Sequence, residues 1–216
     1  MNVSEEVSKL YSRMPWHVRW HVRSRMRLCP YDEVAALLPT QGAILDIGCG
    51  YGHFCWRLML ARSGVQTYGC DVDARKIAVA RACVSAPHGP VFHLGDPETM
   101  PGLPARLDGI AIVDSLYLIP AERQKTLLAW TADRLRPAGR LALKVLDTEA
   151  GWRTRRALIQ EWMMVKLVRG TARTGERFET PAPNAYRDWL NALGLATEVR
   201  RLNTMNPSAL VWGTRK

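Results

Sequence analysis

The sequence contains no apolar run that approaches the roughly 18 residues of a membrane-spanning helix. We also expect no secretory signal, because Arg and His interrupt the apolar residues of its N-terminus. Its five cysteines are odd in number and form no C-x-x-C pair, which argues against a disulfide framework or a zinc site. There is no internal repeat and no low-complexity segment. We therefore expect one reduced, cytoplasmic domain of 216 residues with a full hydrophobic core.

Acidic residues are scarce relative to basic ones, with 20 Asp and Glu against 30 Lys and Arg and a formal charge of +10. Three interpretations compete. The basic residues could bind the phosphates of a nucleic acid, they could bind an anionic membrane surface, or they could form a solvated face with no partner. We favour the solvated face, and we place a membrane or an amphiphilic substrate ahead of nucleic acid, because no recognisable RNA-binding module is present.

The most informative stretch is a glycine turn that follows a short apolar strand at 43–45. The turn, Asp46–Gly52, has the pattern D-x-G-x-G-x-G and leads into a helical segment that starts at Phe54. Strand, glycine turn and helix together bring backbone N–H groups against a bound cofactor in α/β sheets. A dinucleotide fingerprint would require a third glycine where this chain has His53.

Acidic residues follow each of the next predicted strands. The second strand, 65–70, closes on Asp71, just over twenty residues after the turn, where a carboxylate can accept hydrogen bonds from ribose hydroxyls. Asp73, close by, fits a helix N-cap better. The third strand, 91–94, is followed by Asp96, for which an ordinary turn residue is the alternative. The fourth, 107–113, ends at Asp114.

These residues together resemble motif I and the later motifs of the class I S-adenosylmethionine (SAM) methyltransferases, over roughly residues 40 to 145. The resemblance implies SAM as cofactor, S-adenosylhomocysteine (SAH) as product and no metal. An N/D-P-P-Y/F signature is absent, which argues against methylation of adenine, cytosine or glutamine amino groups. The cofactor-binding residues implied or placed by analogy are Asp46, Gly48, Cys49, Gly50, Gly52, Asp71, Val72, Asp96, Pro97, Asp114 and Tyr11.

The predicted architecture is α/β and Rossmann-like: seven mostly parallel strands, an antiparallel last strand and helices on both faces. We divide the single domain into an N-terminal helical cap (1–39), a SAM-binding core (40–146), a substrate-cover insertion (147–183), and a last helix with a strand pair (184–216). The cap and the insertion would cover the carboxyl edge of the sheet, where ligands bind in open α/β sheets.

The cap contains an unusual predicted helix, 16–28. Arg19, Arg23 and Arg27 form a basic stripe with i, i+4 spacing, Val18, Val22 and Met26 form an apolar stripe, and Trp16 and Trp20 lie on a third line. Such a helix suits an anionic membrane interface, including the inner membrane surface. The alternative, which we favour, is a cap packed on the domain with its arginines in water. His17 and His21 lack a third ligand, so we predict no metal site.

Methyl transfer requires the acceptor, the methyl carbon and the sulfur to be collinear, and an alcohol or phenol acceptor must also lose a proton. Candidate bases are Tyr117, His53 and Glu161, while Lys144 and Trp152 are candidate substrate contacts. Each also has an ordinary role in packing or ion pairing. We predict methylation, at oxygen, of a small apolar, aromatic or lipid-derived acceptor. An RNA or protein methyltransferase and a non-catalytic SAM-binding protein are the alternatives.

Overall fold

A computed structural model describes residues 2–84, 89–149, 180–202 and 207–216. Trp152, Glu161 and most of the predicted 147–183 insertion lie outside these residues, and the functions predicted for them stay predictions. In the rest of the chain the helices are α1 (Val3–Leu10), α2 (Trp16–Leu28), α3 (Tyr31–Ala36), α4 (His53–Ala61), α5 (Ala74–Ala82), α6 (Ala121–Arg134) and α7 (Pro183–Ala192).

The strands form one seven-stranded sheet in the order β3-β2-β1-β4-β5-β7-β6. They are β1 (Gly42–Ile47), β2 (Val65–Asp71), β3 (Val91–Leu94), β4 (Leu107–Val113), β5 (Leu135–Leu146), β6 (Leu195–Leu202) and β7 (Ser208–Arg215). Strand β7 is antiparallel to both of its neighbours, and the other pairings are parallel. The predicted Rossmann-like sheet is confirmed. From β1 to β3 successive strands are added towards one edge of the sheet, and from β4 onwards they are added towards the other edge. A crevice therefore opens at the carboxyl ends of β1 and β4.

Helices cover the sheet on both faces because its central strands are apolar on both sides. One core joins strands β1, β4, β5 and β7 to α6 and α7, where Leu128 and Leu190 are fully buried. The opposite core joins the sheet to α3 and α4 through Val34, Phe54 and Leu58. A third cluster attaches the N-terminal helices to the outside of α4 and α5.

Three element starts differ by two residues or more from the sequence pattern, which predicts a helix cap at Ser4, a last helix from Ala185 and a turn at 136–139 before the fifth strand. Helix α1 is capped by Asn2, whose side-chain oxygen accepts the Ser4 N–H at 3.1 Å, and Ser4, the predicted cap, lies inside the helix. Helix α7 begins at Pro183, two residues earlier than predicted, since a proline suits the first helical turn. Strand β5 already pairs at Leu135 and continues through an irregularity, so the predicted turn at 136–139 lies within the strand.

Gly52 is the position where the glycine turn enters α4, and its φ of +79° places it in the left-handed region. A Cβ there would lie 2.3 Å from Cζ of the buried Phe92 ring. We expect Gly52→Ala to lower the free energy of unfolding by about 2–4 kcal/mol, because strain at positive φ adds to overpacking. Urea denaturation followed by circular dichroism measures this.

Gly102 provides the matched control for that substitution. Its φ is +72°, but nothing lies within 4 Å of the position of an added Cβ. Gly102→Ala should therefore cost only the backbone strain, about 1–2 kcal/mol. Equal losses in the two variants would show that the contact with Phe92 relaxes freely and that the turn tolerates a side chain.

Candidate active site at the carboxyl edge of the sheet

A pocket opens at the carboxyl ends of β1, β2, β3 and β4, on the side where the strand order reverses. Its wall is formed by the end of the glycine turn, by the loops after β2 and β3, and by the segment after β4. The lining residues are Ile47, Gly48, Cys70, Asp71, Val72, Gly95, Asp96, Pro97, Ile112, Ser115, Leu116, Leu118, Ile119, Arg123 and Leu127. Of the predicted cofactor residues, five line this pocket, namely Gly48, Asp71, Val72, Asp96 and Pro97, and the other six do not.

The backbone N–H groups of the glycine turn are already paired within the protein. Those of Gly48 and Cys49 donate to the Cys70 carbonyl at 2.8 and 3.0 Å, and that of Gly50 donates to Asp71 Oδ2 at 2.9 Å. Gly52 donates to the Cys49 carbonyl at 2.9 Å. These four N–H groups therefore have partners within the protein, and a contact of the turn with a cofactor stays a prediction. A dinucleotide pyrophosphate requires such donors, whereas a nucleoside without phosphate does not.

Asp71 connects the glycine turn to the start of α5. Its Oδ2 accepts from Gly50 and its Oδ1 accepts the Asp73 N–H at 2.9 Å, which holds the carboxylate at the pocket wall. Each carboxylate oxygen has a second lone pair that can accept a hydrogen bond from a ligand hydroxyl. Asp73 caps α5 by accepting from the N–H groups of Arg75 and Lys76, as its position in the sequence predicted. Val72 between them is 73 % exposed.

Gly48 lets the ends of β1 and β4 approach each other closely. A Cβ on Gly48 would lie 2.5 Å from Cβ of Ser115. The Ser115 hydroxyl donates to the Ile47 carbonyl at 3.1 Å and so fastens the segment after β4 to the end of β1. Any larger residue at 48 would push these two walls of the pocket apart.

Asp96 and Pro97 form the far wall of the pocket, after β3. Pro97 is buried at the start of a short 3₁₀ helix, while Asp96 is exposed. Arg123 from α6 lies across the pocket, with Nη2 at 3.3 Å from Asp96 Oδ2 and at 3.3 Å from Glu98 Oε1. Because the Asp96 side chain remains more than half exposed, it is accessible to a polar group of a ligand.

The side chains of Asp46 and Cys49 are buried and do not line the pocket. Burial, together with the negative charge of Asp71, raises the pKa of Asp46 to about 7. The Cys55 thiol donates to Asp46 Oδ2 at 3.8 Å, which is a weak contact. Cys49 is buried next to Gly69, in the cluster of Cys55 and Phe92. The side chain of Cys49 therefore packs between strand β2 and its covering helices.

Asp114 forms a buried ion-pair cluster at the end of β4. Its Oδ1 lies 2.5 Å from Lys144 Nζ on β5, and its Oδ2 lies 2.7 Å from Arg25 Nη2 on α2. Burial by itself would raise the pKa of Asp114, but Lys144 and Arg25 outweigh it and lower that pKa to about 2. Asp114 has a φ of +54°, an uncommon conformation that Asp tolerates better than most residues. Two cations thus surround one carboxylate.

His53 lies at the start of α4 and contacts the cap. Its Nε2 is 2.7 Å from the Tyr31 hydroxyl, and its buried Nδ1 has no hydrogen-bond partner among the described residues. The ring of His21 from α2 lies 6.2 Å away, centroid to centroid. Burial, followed by the positive charge of Arg25, lowers the pKa of His53 well below its ordinary value. Its imidazole is therefore neutral at physiological pH.

Two tyrosines predicted for the site lie in different environments. Tyr117 is buried in the 3₁₀ helix after Asp114, where it packs with Leu146 and Leu118. Tyr11 is 1 % exposed, and its hydroxyl donates to the Tyr51 carbonyl at 2.6 Å. Tyr11 thus supports the glycine turn from the cap side, and burial raises its pKa. A role for Tyr117 as a base, and a contact of Tyr11 with the cofactor, stay predictions.

Sequence reasoning missed Arg25, Ser115, Arg123 and Tyr31. For Arg25 a signal was present: it follows Val18 and Val22 with i, i+4, i+7 spacing, so it lies on the buried line of α2. An arginine on a buried face requires an acidic partner. Ser115 and Arg123 had no such signal, because their contacts depend on which strands become neighbours.

Comparison with known proteins agrees with this geometry. Residues 44–139, just under half of the chain, match a family model described as a methyltransferase domain. This segment is similar to methyltransferase domains. It spans β1 to the irregular start of β5 and so includes the glycine turn, Asp71, Asp96 and Asp114.

The relatives to which this chain is similar carry different names. A putative methyltransferase of Bacillus subtilis (strain 168), YqeM, is 32 % identical over 96 residues, which are 42 % of this chain and 38 % of the relative. A tRNA U34 carboxymethyltransferase of Hahella chejuensis is 34 % identical over 118 residues, which are 51 % and 34 % of the two chains. The matches thus span less than half the length of either relative.

A solved structure with the same fold covers the whole chain. Magnesium protoporphyrin IX methyltransferase of Synechocystis PCC 6803, crystallised with SAH bound, has a TM-score of 0.67 and 18 % identity, over 100 % of this chain and 95 % of that one. At this identity the match shows the shared fold alone.

The described residues contain neither a metal-binding cluster nor a helix that could span a membrane. No group of three or more His, Cys, Asp or Glu in this part of the chain could hold a metal ion. His17 is exposed, while the ring of His21 contacts Tyr51 and His53. None of the described helices is both long enough and apolar enough to cross a membrane.

Proposed function

We propose that this chain transfers a methyl group from SAM to a small acceptor. The observation that supports this most directly is the Asp71 carboxylate, which is held by Gly50 and Asp73 at the wall of a pocket whose turn donors are already paired. Such a pocket suits a nucleoside without a pyrophosphate. The SAH-bound neighbour with the same fold supports the choice of SAM.

The residues present fit this cofactor. Asp71 would accept from the ribose hydroxyls, the exposed Val72 side chain would cover the adenine, and Asp96 with Pro97 would bound its far side. The close approach of Gly48 to Ser115 leaves no room for a side chain between the strand ends. When bound, SAM supplies a methyl group activated by a positively charged sulfur.

The other half of the carboxyl edge would receive the acceptor. Asp114, Arg25 and Lys144 carry two positive charges against one negative charge, and the Asp114 carboxylate is already paired with both cations. This excess of positive charge favours an anionic oxygen, such as that of a carboxylate or a phenolate. Tyr117, Leu118 and Leu146 provide an apolar wall beside it. These features support methylation at oxygen of a small apolar or aromatic acceptor.

The proton of a phenol or alcohol acceptor would leave to a side chain or to water. His53 is neutral and has a free lone pair or a free N–H at Nδ1, but its lowered pKa makes it a weak base. Tyr117, another candidate base, follows Asp114 by three residues in the chain. A carboxylate acceptor would need no base. The chain would then contribute orientation and charge stabilisation alone.

A second candidate function is RNA methylation. Its support is the formal charge of +10 and the named activity of the carboxymethyltransferase relative, a tRNA modifier. We rank it second, because the match to the tRNA modifier covers only 34 % of that relative.

Asp71→Ala tests the cofactor assignment. We expect the dissociation constant for SAH, measured by calorimetry, to rise about 5- to 150-fold, because the ribose hydroxyls lose their acceptor. Asp73→Ala is the matched control: it removes the α5 cap, at a cost of about 1 kcal/mol in stability, but should leave SAH affinity within threefold. An unchanged SAH constant in Asp71→Ala would show that the assignment is wrong.

Turnover then separates the remaining alternatives. The protein is incubated with SAM carrying a labelled methyl group and with a panel of phenols, aliphatic and aromatic carboxylic acids, and unmodified tRNA. Label on a small acid or phenol supports the proposal, whereas label on tRNA alone favours the second candidate. Tight SAH binding with no labelled product across the panel would indicate a SAM-binding protein without catalysis.

A further inference from the structure

The outward face of α2 combines exposed tryptophans with exposed arginines. Trp16 is 73 % exposed and Trp20 is 60 % exposed, and Arg23 and Arg27 are exposed as well. At about 100° per residue these four side chains fall within an arc of about 60°. The sequence pattern alone had placed the indoles and the arginines on separate lines, but they share one face.

The opposite face of α2 holds the helix on the domain. Val18 and Val22 are buried in the cluster that contains Trp56 of α4 and Cys83 after α5. Arg25 on the same side forms the ion pair with Asp114. Because these contacts anchor α2, its outward face is not needed for folding, and the exposure of two indole rings to water is unfavourable.

The charge around this face has one sign. No acidic residue occurs between Glu6 and Asp32, while the same stretch contains five arginines: Arg13, Arg19, Arg23, Arg25 and Arg27. Arg25 is neutralised by Asp114, and Arg13, Arg19, Arg23 and Arg27 are exposed. The face is therefore strongly positive, and its complement is an anionic surface.

We propose that the outward face of α2 docks on an anionic lipid bilayer. The helix has 13 residues, about 20 Å, and can lie flat, with its indoles at the level of the headgroups and its guanidinium groups on lipid phosphates. Leu28, 63 % exposed, lies outside this arc, about 80° around the helix axis from Trp20. Tryptophans beside arginines on one face of an amphipathic helix are typical of an interfacial helix, so the observations favour the bilayer.

Docking in this orientation would also place the site near the lipid. Helix α2 contributes Arg25 to the cluster at the acceptor side of the carboxyl edge. A lipid-dissolved acceptor could thus reach the site from the bilayer; this link, unlike the docking itself, rests on the proposed function. Failure of methyl transfer would leave the docking proposal intact, since lipid binding is measured separately.

The experiment is co-sedimentation with vesicles of phosphatidylcholine, with and without 30 mol % phosphatidylglycerol. The full chain should partition onto the anionic vesicles and much less onto the neutral ones. In the triple variant Arg19→Gln, Arg23→Gln, Arg27→Gln the partition coefficient should fall by about 100-fold, at roughly fivefold for each arginine. Trp16→Ala with Trp20→Ala should lower it by more than tenfold.

The control removes the same charge elsewhere. Arg106, Arg136 and Arg140 are exposed at the amino edge of the sheet, and their triple change to Gln should reduce partitioning less than threefold. Circular dichroism and SAH affinity verify that all variants keep the fold. Equal losses in both triple variants, or equal binding to neutral and anionic vesicles, would overturn the proposal. Retention of tRNA that the α2 arginine variant abolishes, with vesicle binding at background, would assign this face to nucleic acid.

Discussion

Asp114→Asn is expected to lower the free energy of unfolding by about 3–5 kcal/mol. The change leaves the Arg25 guanidinium and the Lys144 ammonium group facing each other in a buried cluster without their shared carboxylate. Asn keeps the size of the side chain and tolerates the φ of +54°. The loss of stability therefore reports the removal of the negative charge alone. Urea denaturation at pH 7, with the slope of the transition checked for two-state behaviour, measures it.

Glu33→Gln is the matched control, because Glu33 forms a single ion pair at 2.8 Å with Arg200 in which both side chains are about half exposed. That change should cost less than about 1 kcal/mol. A loss for Asp114→Asn no greater than that for Glu33→Gln would contradict the view that the cluster is held by its carboxylate.

The lowered pKa of Asp114 also predicts a pH dependence of stability. The free energy that the ionised Asp114 contributes to folding is present above pH 4 and is lost as the pH falls towards 2.

The second large effect is a pH dependence that originates at Asp46. Its pKa of about 7 in the fold exceeds the ordinary value of 3.8, so the folded protein holds the proton more tightly than the unfolded chain does. The contribution to stability is therefore full below pH 4 and is lost as the pH rises through 7. Between pH 5 and pH 8 this group alone should lower the free energy of unfolding by about 2–3 kcal/mol.

Asp46→Asn should remove that component, since an amide does not titrate. The measurement compares urea denaturation of the parent and the variant at pH 5 and at pH 8, and the quantity of interest is the difference between the two pH-dependent changes. Asp188→Asn, at an exposed position of α7, serves as the control and should leave the pH dependence unchanged. A parent and an Asp46→Asn variant with parallel profiles would contradict a raised pKa at this position.

The central strands were predictable because each is a nearly continuous apolar run that ends at an acid or a glycine. The predicted β4, residues 107–113, coincides with the observed strand, and the predicted 65–70 strand differs from β2 only by Asp71. Boundaries were less certain where a side chain outside the element decides them. Asn2 rather than Ser4 caps α1, and β5 begins at Leu135 because Leu107 lies beside it.

The glycine turn shows which features of a site a sequence motif can predict and which it cannot. Its position, its connection to Asp71 and its place next to the pocket follow from the spacing of glycines and acids. The direction of its N–H groups does not, because Gly48 and Cys49 donate to the Cys70 carbonyl only once β1 and β2 are neighbours. The motif therefore predicts where a cofactor would bind, whereas the partners of its N–H groups depend on the tertiary structure.

The amino-acid sequence by itself determined the α/β order of the elements, the glycine turn and the acids that follow each strand, because these depend on local periodicity and short spacings. Only the tertiary structure decided that Arg25, Asp114 and Lys144 share one buried cluster, and that the indoles and arginines of α2 face outward together. Residues 25, 114 and 144 are far apart in the chain. They meet because the sheet places β4 beside β5 and because Val18 and Val22 fix the rotation of α2.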